Sequence, residues 1–144
     1  MFKKITVAYN ESPEAERALL SAIQLAKTLG AELRTVTVMT DLPAYAAFAV
    51  AGDPSSTRTL EDDRLKFYQG LQEKARALAE RHGIVVASCI VEGRSVEAII
   101  HDLREQRADL LVLGLHQRNF YIARLWSTVY ELAQEAPCSV LGVH

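Results

Sequence analysis

The chain has 144 residues, 49% of them hydrophobic and 24% charged, with a formal net charge of -2 at pH 7. A chain of this length fits one domain and can bury about two-thirds of the surface that its unfolded form exposes. The balance excludes the basic excess of a nucleic-acid binder and the composition of a disordered chain.

In "KITVAY", Ile5, Val7 and Tyr9 alternate with Lys4, Thr6 and Ala8, which predicts a strand. Ser12 then caps a helix with Pro13 in its first turn. Its apolar positions Leu19, Ala22, Ile23, Ala26 and Leu29 recur at helical spacing as far as Gly30, where a left-handed terminal residue belongs. "ELRTVTVM" reads as a second strand, and residues 41–58 read as irregular. Leu65, Tyr68, Leu71, Leu78 and Ala79 mark a long second helix ending before Gly83, with Asp62 and Asp63 as solvated carboxylates at its start. "IVVASCIV" is a third strand, and Ser95 is expected to cap a helix carrying Val96, Ile99, Ile100 and Leu103. "DLLVLG" is nearly all apolar, as a central strand covered on both faces should be. A last helix around Ser127 to Gln134 and the strand "CSVLGV" complete the series. Cys89 and Cys138 sit in apolar runs and are expected to be buried, inert thiols.

Strands separated by helices require parallel crossover connections. The expected fold class is therefore α/β, a doubly wound parallel sheet with helices on both faces, as one domain over residues 1–144. Ligands in such sheets bind beyond the carboxyl ends of the strands, where the strand order switches. The opening "MFKKITVAYN" is too short for a signal peptide, and no apolar run approaches the ~20 residues that span a bilayer. A cytoplasmic protein is expected, without membrane or nucleic acid as a partner.

The exit loops of the strands are "YNESPEA", "VEGRSVEA" and "GLHQRNFYIARLWST". With "FKKITVAYNESPEAERALLSAIQLAKTLGAEL", "ADLLVLGLHQR" and "APCSVLGV" they resemble the universal stress protein family over nearly the whole chain, the segment from about Asp41 to Thr59 excepted. The resemblance implies a three-layer, Rossmann-like (HUP-type) sandwich whose five strands run in the order 3-2-1-4-5. It also implies a candidate nucleotide pocket at Ala8, Asn10, Val38, Gly93, Gly114, His116, Gln117, Arg118, Ser127 and Thr128. A homodimer built on the last strand, through Val140, Leu141, Gly142 and Val143, is implied as well.

Members of that family that bind ATP follow the fourth strand with a glycine, two residues, a glycine, nine residues, then glycine with serine or threonine. Here the positions are Gly114, Gln117, Ser127 and Thr128, so only the ends of the motif remain. A phosphate loop needs glycine for positive φ and for close approach of backbone N–H groups. Gln117 costs about 1–2 kcal/mol if its position is left-handed. Ser127 either caps the last helix or, with Thr128, offers hydroxyls at the helix's positive end. His116 and Arg118 are donors or solvated loop residues, and Trp126 either packs on the sheet or stacks on a base. The family's adenine-holding aspartate is Asn10 here, followed by Glu11 in place of glycine. Asn10 either reads a base edge or forms an Asx turn into the helix. Val38 matches a backbone contact to adenine, and Gly93 matches a glycine of the third exit loop.

There is no GxxxxGK[ST] loop, GxGxxG fingerprint or GxSxG elbow, and the four histidines have no ligand spacing. No metal and no catalysis are expected. The resemblance implies a stress-response regulatory domain acting by dimerisation and binding of a protein partner. Its nucleotide binding would be weak, altered or absent, with ATP or AMP the cofactors implied; the alternative is a genuine adenine-nucleotide sensor or slow ATPase. The apolar segment Thr40 to Thr59 is expected as a lid over the pocket, part of a subunit interface, or a short helix on its own domain.

Overall fold

A computed structural model describes residues 1–39, 54–115 and 122–144, with the backbone alone for 54–59 and 122–128. In chain order the elements are β1 (Lys4–Ala8), α1 (Pro13–Leu29), β2 (Glu32–Met39), α2 (Pro54–Arg81), β3 (Val86–Glu92), α3 (Ser95–Gln106), β4 (Leu110–Gly114), α4 (Ile122–Glu135) and β5 (Ser139–Val143). All five strands are parallel, in the order β3-β2-β1-β4-β5. The doubly wound, Rossmann-like fold class and the order 3-2-1-4-5 are both observed.

Strand alternation decides which helices cover which face. Ile5, Val7, Leu33, Leu110 and Val112 point to one side, where Leu19, Ile23, Leu71 and Ala75 of α1 and α2 complete a core. Val36, Leu111 and Leu113 point to the other, against Ile99, Ile100 and Leu103 of α3 and Leu132 of α4. Leu110 to Leu113 are all buried, which accounts for the continuous apolar run of the central strand β4.

Polar groups inside these layers have partners. The amide of Gln72 on α2 accepts from Thr35 Oγ1 at 2.6 Å, and donates to Thr37 Oγ1 and to the Cys89 carbonyl, the latter at 3.1 Å. Thr37 Oγ1 in turn donates to the Tyr9 carbonyl at 2.8 Å. On the opposite face Arg34 Nη1 donates to Asp102 Oδ2 at 2.5 Å, which ties β2 to α3. At the amino end of the sheet, the Asp109 carboxylate accepts the backbone N–H groups of Lys3 and Lys4.

Four expectations are corrected. The cap residue of α3 is Arg94, in extended conformation and without a side-chain cap bond, and Ser95 is the first helical residue. The helix starts there because Gly93, at φ 130, turns the chain one residue sooner than a Ser95 cap requires. Helix α2 begins at Pro54, whose fixed φ suits a first turn, so residues 54–58 are not irregular and Asp62 and Asp63 lie exposed in its interior. Helix α4 begins at Ile122 rather than near Ser127. Cys89 and Cys138 are free and half-buried rather than fully buried. Burial raises the Cys138 thiol above its ordinary value and Asp109 adds to this, against the lowering effect of a backbone hydrogen bond at Leu111. Most of the segment Thr40 to Thr59 lies outside the described residues. No described helix is long and apolar enough to cross a membrane.

Candidate functional site

A cavity of about 270 Å³ opens beyond the carboxyl ends of β1, β2 and β4, where the strand order switches from β1 to β4. Ala8, Val36, Val38 and Leu113 supply its apolar strand wall, and Ile99, Val129 and Leu132 supply the helical one. Its polar lining comes from Tyr9, Asn10, Ser12 and Ser95. An apolar slot with a few convergent polar groups is the usual build of a small-molecule site.

Four expected residues meet here: Ala8, Asn10, Val38 and Gly114. Gly93 does not line the cavity; it sits in the turn between β3 and α3, at a φ that side chains rarely adopt, with its N–H on the Met39 carbonyl at 3.4 Å. His116, Gln117 and Arg118 lie outside the described residues. Ser127 is the sixth residue of α4 counting from Ile122, and Thr128 follows it. Only the first four N–H groups of a helix lack an intrahelical partner, so Ser127 is neither the cap of α4 nor a free donor at its positive end.

The first turn of α1 and the end of β4 are held very close. A Cβ on Gly114 would lie 2.4 Å from the Glu14 carbonyl carbon and 2.8 Å from the Ala15 nitrogen. The glycine that heads the family motif is thus required by packing alone. The same approach brings the β1 exit loop to the cavity.

In that loop Asn10 Oδ1 accepts both the Ser12 backbone N–H, at 2.9 Å, and the Ser12 hydroxyl, at 2.5 Å. Ser12 Oγ accepts the Ala15 N–H at 3.1 Å, which caps α1. Asn10 therefore forms the Asx turn, and its amide nitrogen keeps its hydrogens for other partners. Beneath it Tyr9 is buried; burial raises its phenol above the ordinary value of 10.0, and the nearby Glu16 carboxylate adds to this. Across the cavity, Ser95 opens α3, whose first-turn N–H groups have no side-chain cap.

The sequence pattern did not mark Tyr9, Ser12, Ala15, Val36, Ser95, Ile99, Leu113, Val129 and Leu132 as lining residues. Strand parity could have supplied Val36, which is paired with Ala8, and Leu113, which precedes Gly114. The helical residues depend on how α3 and α4 pack.

The model of the universal stress protein family matches residues 1–144. The chain belongs to the universal stress protein family. Its relative in Thermus aquaticus, the universal stress protein of the QAH/OAS sulfhydrylase 3' region, is 32% identical over 145 residues and covers 99% of each chain. A solved universal stress protein in complex with cAMP superimposes with a TM-score of 0.76 at 24% identity, over 99% of this chain and 97% of that one. A family protein of Arabidopsis thaliana with AMP bound gives 0.71 at 17% identity, over 98% and 90% of the two chains. Universal stress proteins of this fold thus include binders of adenine nucleotides.

Proposed function

We propose that this single-domain universal stress protein is a non-catalytic, cytoplasmic stress-response regulator. It acts as a homodimer on a protein partner, and its cavity takes a purine nucleotide weakly. The observation that carries the nucleotide part is the place and size of the cavity. It lies at the switch in strand order, where doubly wound folds bind nucleotides, and about 270 Å³ is small for a ligand site. Such a space suits a nucleoside and leaves a phosphate chain at the rim. The uncapped first turn of α3 beside Ser95 is a donor end suited to that anion.

The motif supports weak binding: Gln117 and Ser127 replace two glycines, Glu11 adds negative charge, and Ser127 lies within α4.

Calorimetric titration with ATP tests this reading. The expected dissociation constant is weaker than about 10 micromolar, yet measurable at millimolar ligand. Tighter binding would overturn the weak-site reading. No heat at millimolar ATP, AMP or IMP would remove the nucleotide from the proposal.

A further inference from the structure

We infer that the outer strand β3 receives an extended segment of the protein partner as a sixth strand, seated in a groove beside α2. The inference rests on the reading that the protein acts on a protein partner, and names the surface that takes it. β3 is paired with β2 along all seven of its residues, from Val86 to Glu92, and on its other side its ladder is open among the described residues. Outer strands are ordinarily blunted by lysine, proline or a bulge. "VASCIVE" contains neither lysine nor proline, and its register with β2 runs without a bulge.

A groove of about 510 Å³ lies beside this edge, between Gln69, Gly70, Glu73 and Arg76 of α2 and Ser88 and Ile90 of β3. Gln72 also lines it, but its amide is fully engaged: the two hydrogens go to Thr37 Oγ1 and the Cys89 carbonyl, and the oxygen takes the Thr35 hydroxyl. The buried amide thus has nothing left for a small polar molecule, and the groups still open are those of the ladder. Extended backbone is what matches a ladder edge. Gly70 is a second, independent observation. It lies inside α2, where glycine weakens a helix, yet it has no positive φ and a Cβ on it would meet nothing within 4 Å. Neither backbone geometry nor packing within the chain accounts for a glycine there; room for an incoming chain does.

Strand parity sets the pattern of that chain. Ser88 and Ile90 face α2, and Ala87, Cys89 and Val91 face the opposite side. Glu73 pairs with Arg76 yet keeps 71% of its side chain exposed, so it remains open to a cation. A fitting segment alternates polar residues, one of them basic, on the α2 side with β-branched apolar residues on the other. Because the proposed homodimer uses β5, both edges of the sheet can be occupied together.

The probe is an end-capped peptide of seven residues, the length of β3, that alternates threonine with valine and carries one lysine at a threonine position. Backbone amide NMR of the full chain during its titration is expected to move Gly70 and Ala87 to Val91, with Ala8, Asn10 and β5 unmoved. The same peptide with proline at the threonine positions has lost ladder donors and is expected to shift none of them. Gly70→Leu fills the room on α2. It should raise the urea midpoint, since leucine is the better helix former, and weaken peptide binding about tenfold. Binding unchanged in Gly70→Leu, or kept by the proline peptide, would overturn the inference. Shifts that gather along β5 or elsewhere would overturn it and leave the partner reading standing. No shift anywhere at millimolar peptide would overturn both.

Discussion

A methyl group on Gly114 would lie 2.4 Å from the Glu14 carbonyl carbon, and backbone on a helix's first turn cannot swing aside as a side-chain tip can. Gly114→Ala is expected to cost about 2 kcal/mol, as overpacking of a close contact does, and to lower the urea midpoint without changing the slope. An unchanged midpoint would mean that α1 shifts freely. Tyr9 carries the pH dependence at this scale. Its folded phenol titrates above its ordinary value of 10.0, chiefly through burial, so the fold favours the neutral form. The contribution is complete below pH 10.0 and is lost as pH rises through the folded value. Wild type should therefore lose stability relative to Tyr9→Phe only above that pH, as denaturant midpoints across the alkaline range would show. Ionisation of Tyr9 at or below its ordinary value would contradict this. Single residues were also where the sequence was least legible. Asn10 allowed both an Asx turn and base contact, and only the position of the Ser12 N–H decides which atom is engaged. Ser95 looked like a cap, but the turn at Gly93 begins the helix one residue earlier.

Among the elements, strands and their faces were the most legible, because a period of two and a continuous apolar run leave a direct trace in sequence. Helix starts were less so. Proline and serines at the beginning of α2 resemble a turn, and the backbone alone shows that they are helical. The polar contacts between elements leave no periodic trace. Thr35 and Thr37 sit where β2 would otherwise bury apolar side chains against α2, and Gln72 joins both of them to the Cys89 carbonyl on β3. Gln72→Leu keeps the bulk and strands these three groups without their amide partner, at an expected cost of about 3 kcal/mol. A loss under about 1 kcal/mol in urea unfolding would indicate that the threonines find other partners. Arg34 and Asp102 make the corresponding tie on the other face.

At the scale of the whole molecule the sheet has two outer strands, β3 and β5. Leu141 on β5 is 37% exposed and Val140 and Val143 are half-buried, so the strand offers both apolar surface and a ladder edge open among the described residues. Such an edge is stabilised by pairing, and two copies related by a two-fold axis can pair it with itself. The proposed homodimer uses this edge. Light scattering at micromolar concentration should report a dimer for wild type and a monomer for Leu141→Lys; a monomeric wild type, or a variant that dimerises equally well, would rule β5 out.

The central claim is that the cavity at the switch between β1 and β4 is where this universal stress protein takes its nucleotide. Backbone amide NMR during titration with a purine nucleotide, AMP or IMP, tests it most directly. The account predicts dose-dependent shifts concentrated at Ala8, Asn10, Val38, Ser95 and Gly114, with β3 and β5 unmoved. Shifts that spare those five residues, or that gather along β5 instead, would contradict it.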